Sequence, residues 1–127
     1  MAKVFLDTNA FIDAIHRNPE TKVLDQLEDS IPFISPLSVH IYCYSYKIKA
    51  PNQILSSQLK KFSLVDLTET ILLKTLDGPT SDLEDNIQLH SAAEANCDYF
   101  LTSDEKLLKM KYFGKTKIVN NLPLQIN

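Results

Sequence analysis

The sequence predicts an α/β protein in which helices pack on a mainly parallel sheet, and three observations support this. Short apolar runs that read as buried strands alternate with longer segments of helical spacing. Two of those runs end alike, in a polar cluster that carries an acid: Leu6-Asp7-Thr8-Asn9 and Leu101-Thr102-Ser103-Asp104. With only two glycines, and no repeat or Gly/Ser-rich linker, the 127 residues read as one domain, 1–127, long enough to bury a core.

The elements follow in order. Lys3–Leu6 is the first strand, and apolar Ala10, Phe11 and Ile12 open a helix to Arg17. Thr21–Asp29 reads as a second helix, with Val23, Leu24 and Leu27 on one face. Ile31–Ile34 is a short strand. Ser35 followed by Pro36 has cap and first-turn chemistry, which predicts a helix running to about Ala50, before Pro51. Gln53–Phe62 continues helical, and Leu64–Asp66 is a brief strand. Thr68 and Glu69 start a helix through Leu76, which Gly78-Pro79 breaks. Ser81-Asp82-Leu83-Glu84 reads as a capping box opening a helix to Asn96. Tyr99–Leu101 is the next strand, Glu105–Lys109 a short helix and Lys117–Val119 the last strand.

Composition narrows the function. Hydrophobic residues make up 44% and charged residues 23%, as in ordinary soluble proteins. No apolar run approaches the roughly 20 residues of a membrane span, and the start lacks a signal-peptide layout. Cys43 and Cys97 are isolated, without metal-ligand spacing, which argues against zinc and suits a reducing cytoplasm. A net charge of −3 argues against generic nucleic-acid binding, but the charges are segregated. Seven acids and no Lys or Arg lie between Asp82 and Glu105; five lysines and no acid lie between Lys106 and Lys117. This order fits a metal site beside a phosphate-holding surface, or simply a solvated helix and loop.

An acid at the end of a buried strand is poor packing material, because a carboxylate without a partner is costly to bury. In an open parallel sheet that position is where sites form. If the strands ending at Leu6 and Leu101 are neighbours, Asp7 and Asp104 emerge at one edge, roughly 5–10 Å apart for strands about 4.8 Å apart. Asp85, in the first turn of the preceding helix, can point to the same edge. Three converging carboxylates repel unless a cation neutralises them, and hard oxygen ligands suit Mg²⁺ or Mn²⁺. Such an ion can polarise a phosphodiester and activate water. Capping is the rival role for Asp7, Asp82, Glu84, Asp85 and Asp104, since each stands near a helix start.

Leu-Asp-Thr-Asn-Ala-Phe-Ile-Asp at 6–13, Asp-Leu-Glu-Asp at 82–85 and Cys-Asp-Tyr-Phe-Leu-Thr-Ser-Asp at 97–104 resemble the PIN domain over essentially the whole chain. The resemblance implies a three-layer α/β/α fold and a Mg²⁺- or Mn²⁺-dependent ribonuclease. Many small members are VapC-type toxins held by an antitoxin, and homodimers are common among them. By position, Asp7, Asp85 and Asp104 are the metal-binding acids, with Asn9 the companion of Asp7 and Thr102 the support of Asp104. Members commonly carry a Glu on the helix after the second strand. This chain has no acid from Ser30 to Val65; the region reads His40-Ile41-Tyr42-Cys43-Tyr44. Some members with an aromatic-rich segment here also lack it, and Glu84 or Asp82 is the candidate substitute. The alternative is a PIN-fold module that binds RNA or protein through a degraded site. A dehalogenase-type phosphatase needs an Asp where Asn9 stands, and a receiver domain needs an acidic pair after the first strand and a late Lys; neither pattern is present. Tyr42, Tyr44 and Tyr46, interleaved with Lys47 and Lys49, suit packing, a protein interface or base stacking.

Overall fold

The first strand, β1 (Ala2–Leu6), alternates its side chains between two cores. Val4 and Leu6 enter one apolar cluster with Phe11, Ile34, Tyr42, Phe62 and Leu101. Phe5 enters the other, with Ile71, Leu89, Phe100, Leu107 and Ile118. A strand buried on both faces belongs to a sheet covered by helices on both sides. The computed structural model, which describes residues 1–17 and 27–122, shows that arrangement.

The remaining elements are α1 (Thr8–Ile12), extended by a π-helical turn Asp13–Arg17, then β2 (Ser30–Ile34), α2 (Pro36–Tyr46), α3 (Gln53–Leu59) and β3 (Ser63–Leu64). They continue as α4 (Glu69–Thr75), α5 (Leu83–Glu94), β4 (Tyr99–Leu101), α6 (Glu105–Leu108), β5 (Tyr112–Phe113) and β6 (Thr116–Val119). The sheet order is β3-β2-β1-β4-β6-β5, parallel except for β5. β1 and β4 are neighbours in register, with Leu6 opposite Leu101. The two polar clusters that follow them therefore leave the sheet side by side.

Several boundaries differ from expectation for local reasons. α1 begins at Thr8 rather than Ala10, because the Asp7 carboxylate itself caps it by accepting from the Ala10 N–H. The cap of α5 is Asp82, not Ser81. Its carboxylate accepts from the Asp85 N–H at 2.9 Å, which puts Asp85 rather than Glu84 at the third helical position. α2 stops at Tyr46, where Lys47 turns left-handed (φ 55°) and the Ile48 N–H closes onto the Cys43 carbonyl. The lysine-rich end adds an unexpected hairpin, β5–β6, whose turn uses Gly114 at φ +61°. The expected helix Thr21–Asp29 lies largely outside the described residues. No described helix is long and apolar enough to cross a membrane.

Candidate metal centre

Asp7 is 7% exposed, with both carboxylate oxygens engaged. One accepts from Ala10 N–H at 2.8 Å and the other from Thr102 Oγ1–H at 2.6 Å. Burial raises its pKa above the ordinary value; these two bonds oppose that rise, and the charges of Asp104 and Asp13 add to it. Capping and ligation are compatible here, since each carboxylate oxygen has a second lone pair. The same Thr102 oxygen accepts from the Asp104 N–H at 3.0 Å. One threonine thus ties the ends of β1 and β4 together. Asp104 in turn caps α6 through the Lys106 N–H.

The third segment is the start of α5. Carboxylate oxygens of Asp82, Glu84 and Asp85 lie within 4.8 Å of one another. Burial, then the charges of Asp82, Asp104, Glu84 and Asp7, push the Asp85 carboxyl up to about 6. Burial, then Asp82 and Asp7, raise Glu84 as well. Among the described residues no salt bridge reaches any of these acids; the one ion pair present joins Arg17 to Asp13 at 2.8 Å. Asp7, Asp82, Glu84, Asp85 and Asp104 therefore form a mutually repelling group at the carboxyl edge of the sheet. The tightest subset is Asp82–Glu84–Asp85, all from one helix start, whereas the sequence pattern emphasised Asp7, Asp85 and Asp104. The hard oxygen donors, gathered without a described cation, fit Mg²⁺ or Mn²⁺.

Buried polar residues that the motif reading passed over hold this edge. Gln88 accepts the Thr8 N–H at 2.8 Å, and Thr8 shares a 2.8 Å hydroxyl–hydroxyl hydrogen bond with buried Ser38 on α2. Asn86 donates to the Thr75 and Thr80 carbonyls and accepts from the Thr80 N–H and hydroxyl. That network fixes the loop into Asp82. The signal was available in principle, because Asn86 and Gln88 are polar residues in the middle of an otherwise core-facing helix. Asn9 is exposed, and its side-chain oxygen accepts from Arg17 at 3.1 Å. On α2 the hydroxyl of Ser38 meets that of Thr8, while His40 is exposed and stacks on Tyr44. Tyr42 is buried, its hydroxyl 2.9 Å from His16 Nδ1, whereas Tyr44 is 81% exposed. The five lysines are exposed, but Lys117 pairs with Tyr99, at the end of β4 away from Asp104. Lys106, by contrast, follows Asp104 closely on α6, where its backbone N–H meets the Asp104 carboxylate.

A family model for the PIN domain matches residues 3–106, and the chain belongs to that family. No curated protein sequence matches it. Among solved structures it resembles VapBC2 from Rickettsia felis, determined bound to a DNA fragment from its promoter, with 16% identity and a TM-score of 0.64 over 92% of this chain and 97% of that one. A toxin–antitoxin complex from Klebsiella pneumoniae gives 20% identity and a TM-score of 0.65, over 81% and 88% of the two chains. FitAB bound to a DNA fragment gives 14% and 0.61, over 97% and 98%. At these identities the likeness concerns the fold.

Proposed function

We propose that this chain, as one PIN unit, is a divalent-cation-dependent endoribonuclease and the toxin half of a toxin–antitoxin pair, working in the cytoplasm. The observation that carries this reading is the convergence of acids from three separate segments, the ends of β1 and β4 and the start of α5, with no described cation paired to them. Asp7, Asp85 and Asp104 are assigned as ligands for Mg²⁺ or Mn²⁺. The ion supplies polarisation of the phosphodiester and a lowered pKa for attacking water. Thr102 holds the Asp7 carboxylate in one orientation, and the same oxygen positions the backbone at Asp104. Glu84, half-buried beside Asp7 and Asp82, is assigned to take the proton of the attacking water at its carboxylate. That work would otherwise fall to the acid absent from α2. An antitoxin partner is supported by the similar Klebsiella pneumoniae structure, which is a toxin–antitoxin complex.

A second reading, a PIN-fold module that binds RNA or protein through a weakened site, is favoured by one observation: α2 offers Ser38 and exposed His40 where a carboxylate is common in the family. The deciding experiment is cleavage of single-stranded RNA in Mg²⁺ or Mn²⁺. Cleavage that stops in EDTA and in Asp104→Asn supports the nuclease. Equal cleavage by wild type and variant identifies a contaminant, and none by wild type favours the binding module.

A further inference from the structure

Beside the acids, on the α1 side of β4, lies a cleft of about 130 Å³. Its polar wall comes from three segments: Asp13 on the turn after α1, Thr102 and Ser103 after β4, and Asn120 and Asn121 after β6. At roughly 30 Å³ per water it has room for about four waters, the size of a sugar rather than a whole nucleotide. Thr102 belongs to both places, since its hydroxyl holds Asp7 while the residue lines the cleft. A group seated there is therefore next to whatever the acids hold.

The wall chemistry selects the occupant. Asp13 offers only acceptor oxygens, one of them 2.8 Å from Arg17 Nε, so within the cleft it can take a hydroxyl proton donor but has no donor for a phosphate oxygen. The Asn120 and Asn121 amides, joined by a 3.3 Å hydrogen bond, offer donors and acceptors together, and Ser103 adds a hydroxyl. This set suits a neutral group that both donates and accepts, as ribose hydroxyls and base edges do. Arg17, held by Asp13 and by the Asn9 carbonyl and amide oxygens, adjoins the cleft through Asp13 with its side chain partly exposed. A guanidinium so braced can meet a backbone phosphate with its remaining N–H groups.

We propose that this cleft is a ribonucleotide subsite: it holds the ribose and base edge of the nucleotide next to the scissile phosphate, with Arg17 on the neighbouring phosphate. The subsite rests on the nuclease reading for its position but not for its test. Binding of a fluorescein-labelled single-stranded RNA is measured in an Asp104→Asn background, where cleavage is not required. Adding Asn120→Ala and Asn121→Ala weakens RNA binding about tenfold, and Arg17→Gln weakens it and lowers its salt dependence. DNA of the same sequence binds more weakly than RNA before these changes and equally after them. In the otherwise wild-type enzyme the two Asn→Ala changes raise KM with kcat nearly unchanged and erase nucleotide preference at one flanking position. RNA binding and KM unaltered by the paired change overturn the subsite. Cleft-dependent RNA binding by a protein that never cleaves overturns the nuclease reading alone.

Discussion

Thr102 shows how one side chain can set the character of a site. Its hydroxyl donates to a carboxylate that is almost wholly buried and accepts from the backbone two residues on. Thr102→Val keeps the shape and removes both bonds, leaving the Asp7 oxygen short of a donor; we expect a loss of about 1–3 kcal/mol by urea unfolding at neutral pH. Asp85 behaves differently, because among the described residues no hydrogen bond ends on its carboxylate, and its pKa, about 6, lies above that of an exposed acid. Its folded state holds a proton that the unfolded chain has released. The metal-free protein therefore loses stability as pH rises from about 4, where an unfolded Asp ionises, through about 6. In EDTA, Asp85→Asn should raise Tm at pH 7.5 and flatten the fall between about pH 4 and 6. A variant with the wild-type profile would show that the repulsion is not there.

Among the elements, α5 does two jobs with one sequence. Its buried side adds Ile87, Leu89 and Ala92 to the core, while Asp82, Glu84 and Asp85 crowd its start. A helix N-terminus tolerates such crowding because its dipole favours negative charge. Asn86 secures that start to the loop after α4, so Asn86→Ala should cost about 1–3 kcal/mol for the groups left unpaired and weaken cation binding at a distance. Calorimetry on the variant checks both. The alternation of strands and helices and the acid-bearing strand ends were legible in the sequence, since apolar runs followed by Asp7 and Asp104 announce themselves; the order of the strands in the sheet was not. The β1–β4 pairing brings those two strand ends side by side. Less legible was whatever depends on competition between neighbours: Asp82 wins the cap from Ser81, and Asp7 caps a helix while lying in the site. The supporting role of Ser38 was hidden too, because a buried hydroxyl reads as an ordinary helix residue until its partner is known.

At the scale of the molecule, two cores brace the sheet and leave one edge polar. Phe11 sits in the first core, edge-on to Phe62 at 5.3 Å and to Tyr42 at 6.1 Å. Phe11→Ala should cost about 3–5 kcal/mol, enough to threaten folding of a domain this size. Cys97 lies in the second core, where burial pushes its thiol up to about 12, so it should resist alkylation in the native protein. Folding carries a cost at the acidic edge that a bound divalent ion would remove. Mn²⁺ at a hundred times its Kd should therefore add about 2.7 kcal/mol and raise Tm by several degrees. The most direct test is a calorimetric titration of the purified protein with Mn²⁺. Saturable binding that Asp85→Asn weakens at least about tenfold, roughly 1.4 kcal/mol, is the expected result. Wild-type protein that takes up no Mn²⁺, or a variant that binds it equally well, would contradict the assignment of this edge as a metal centre.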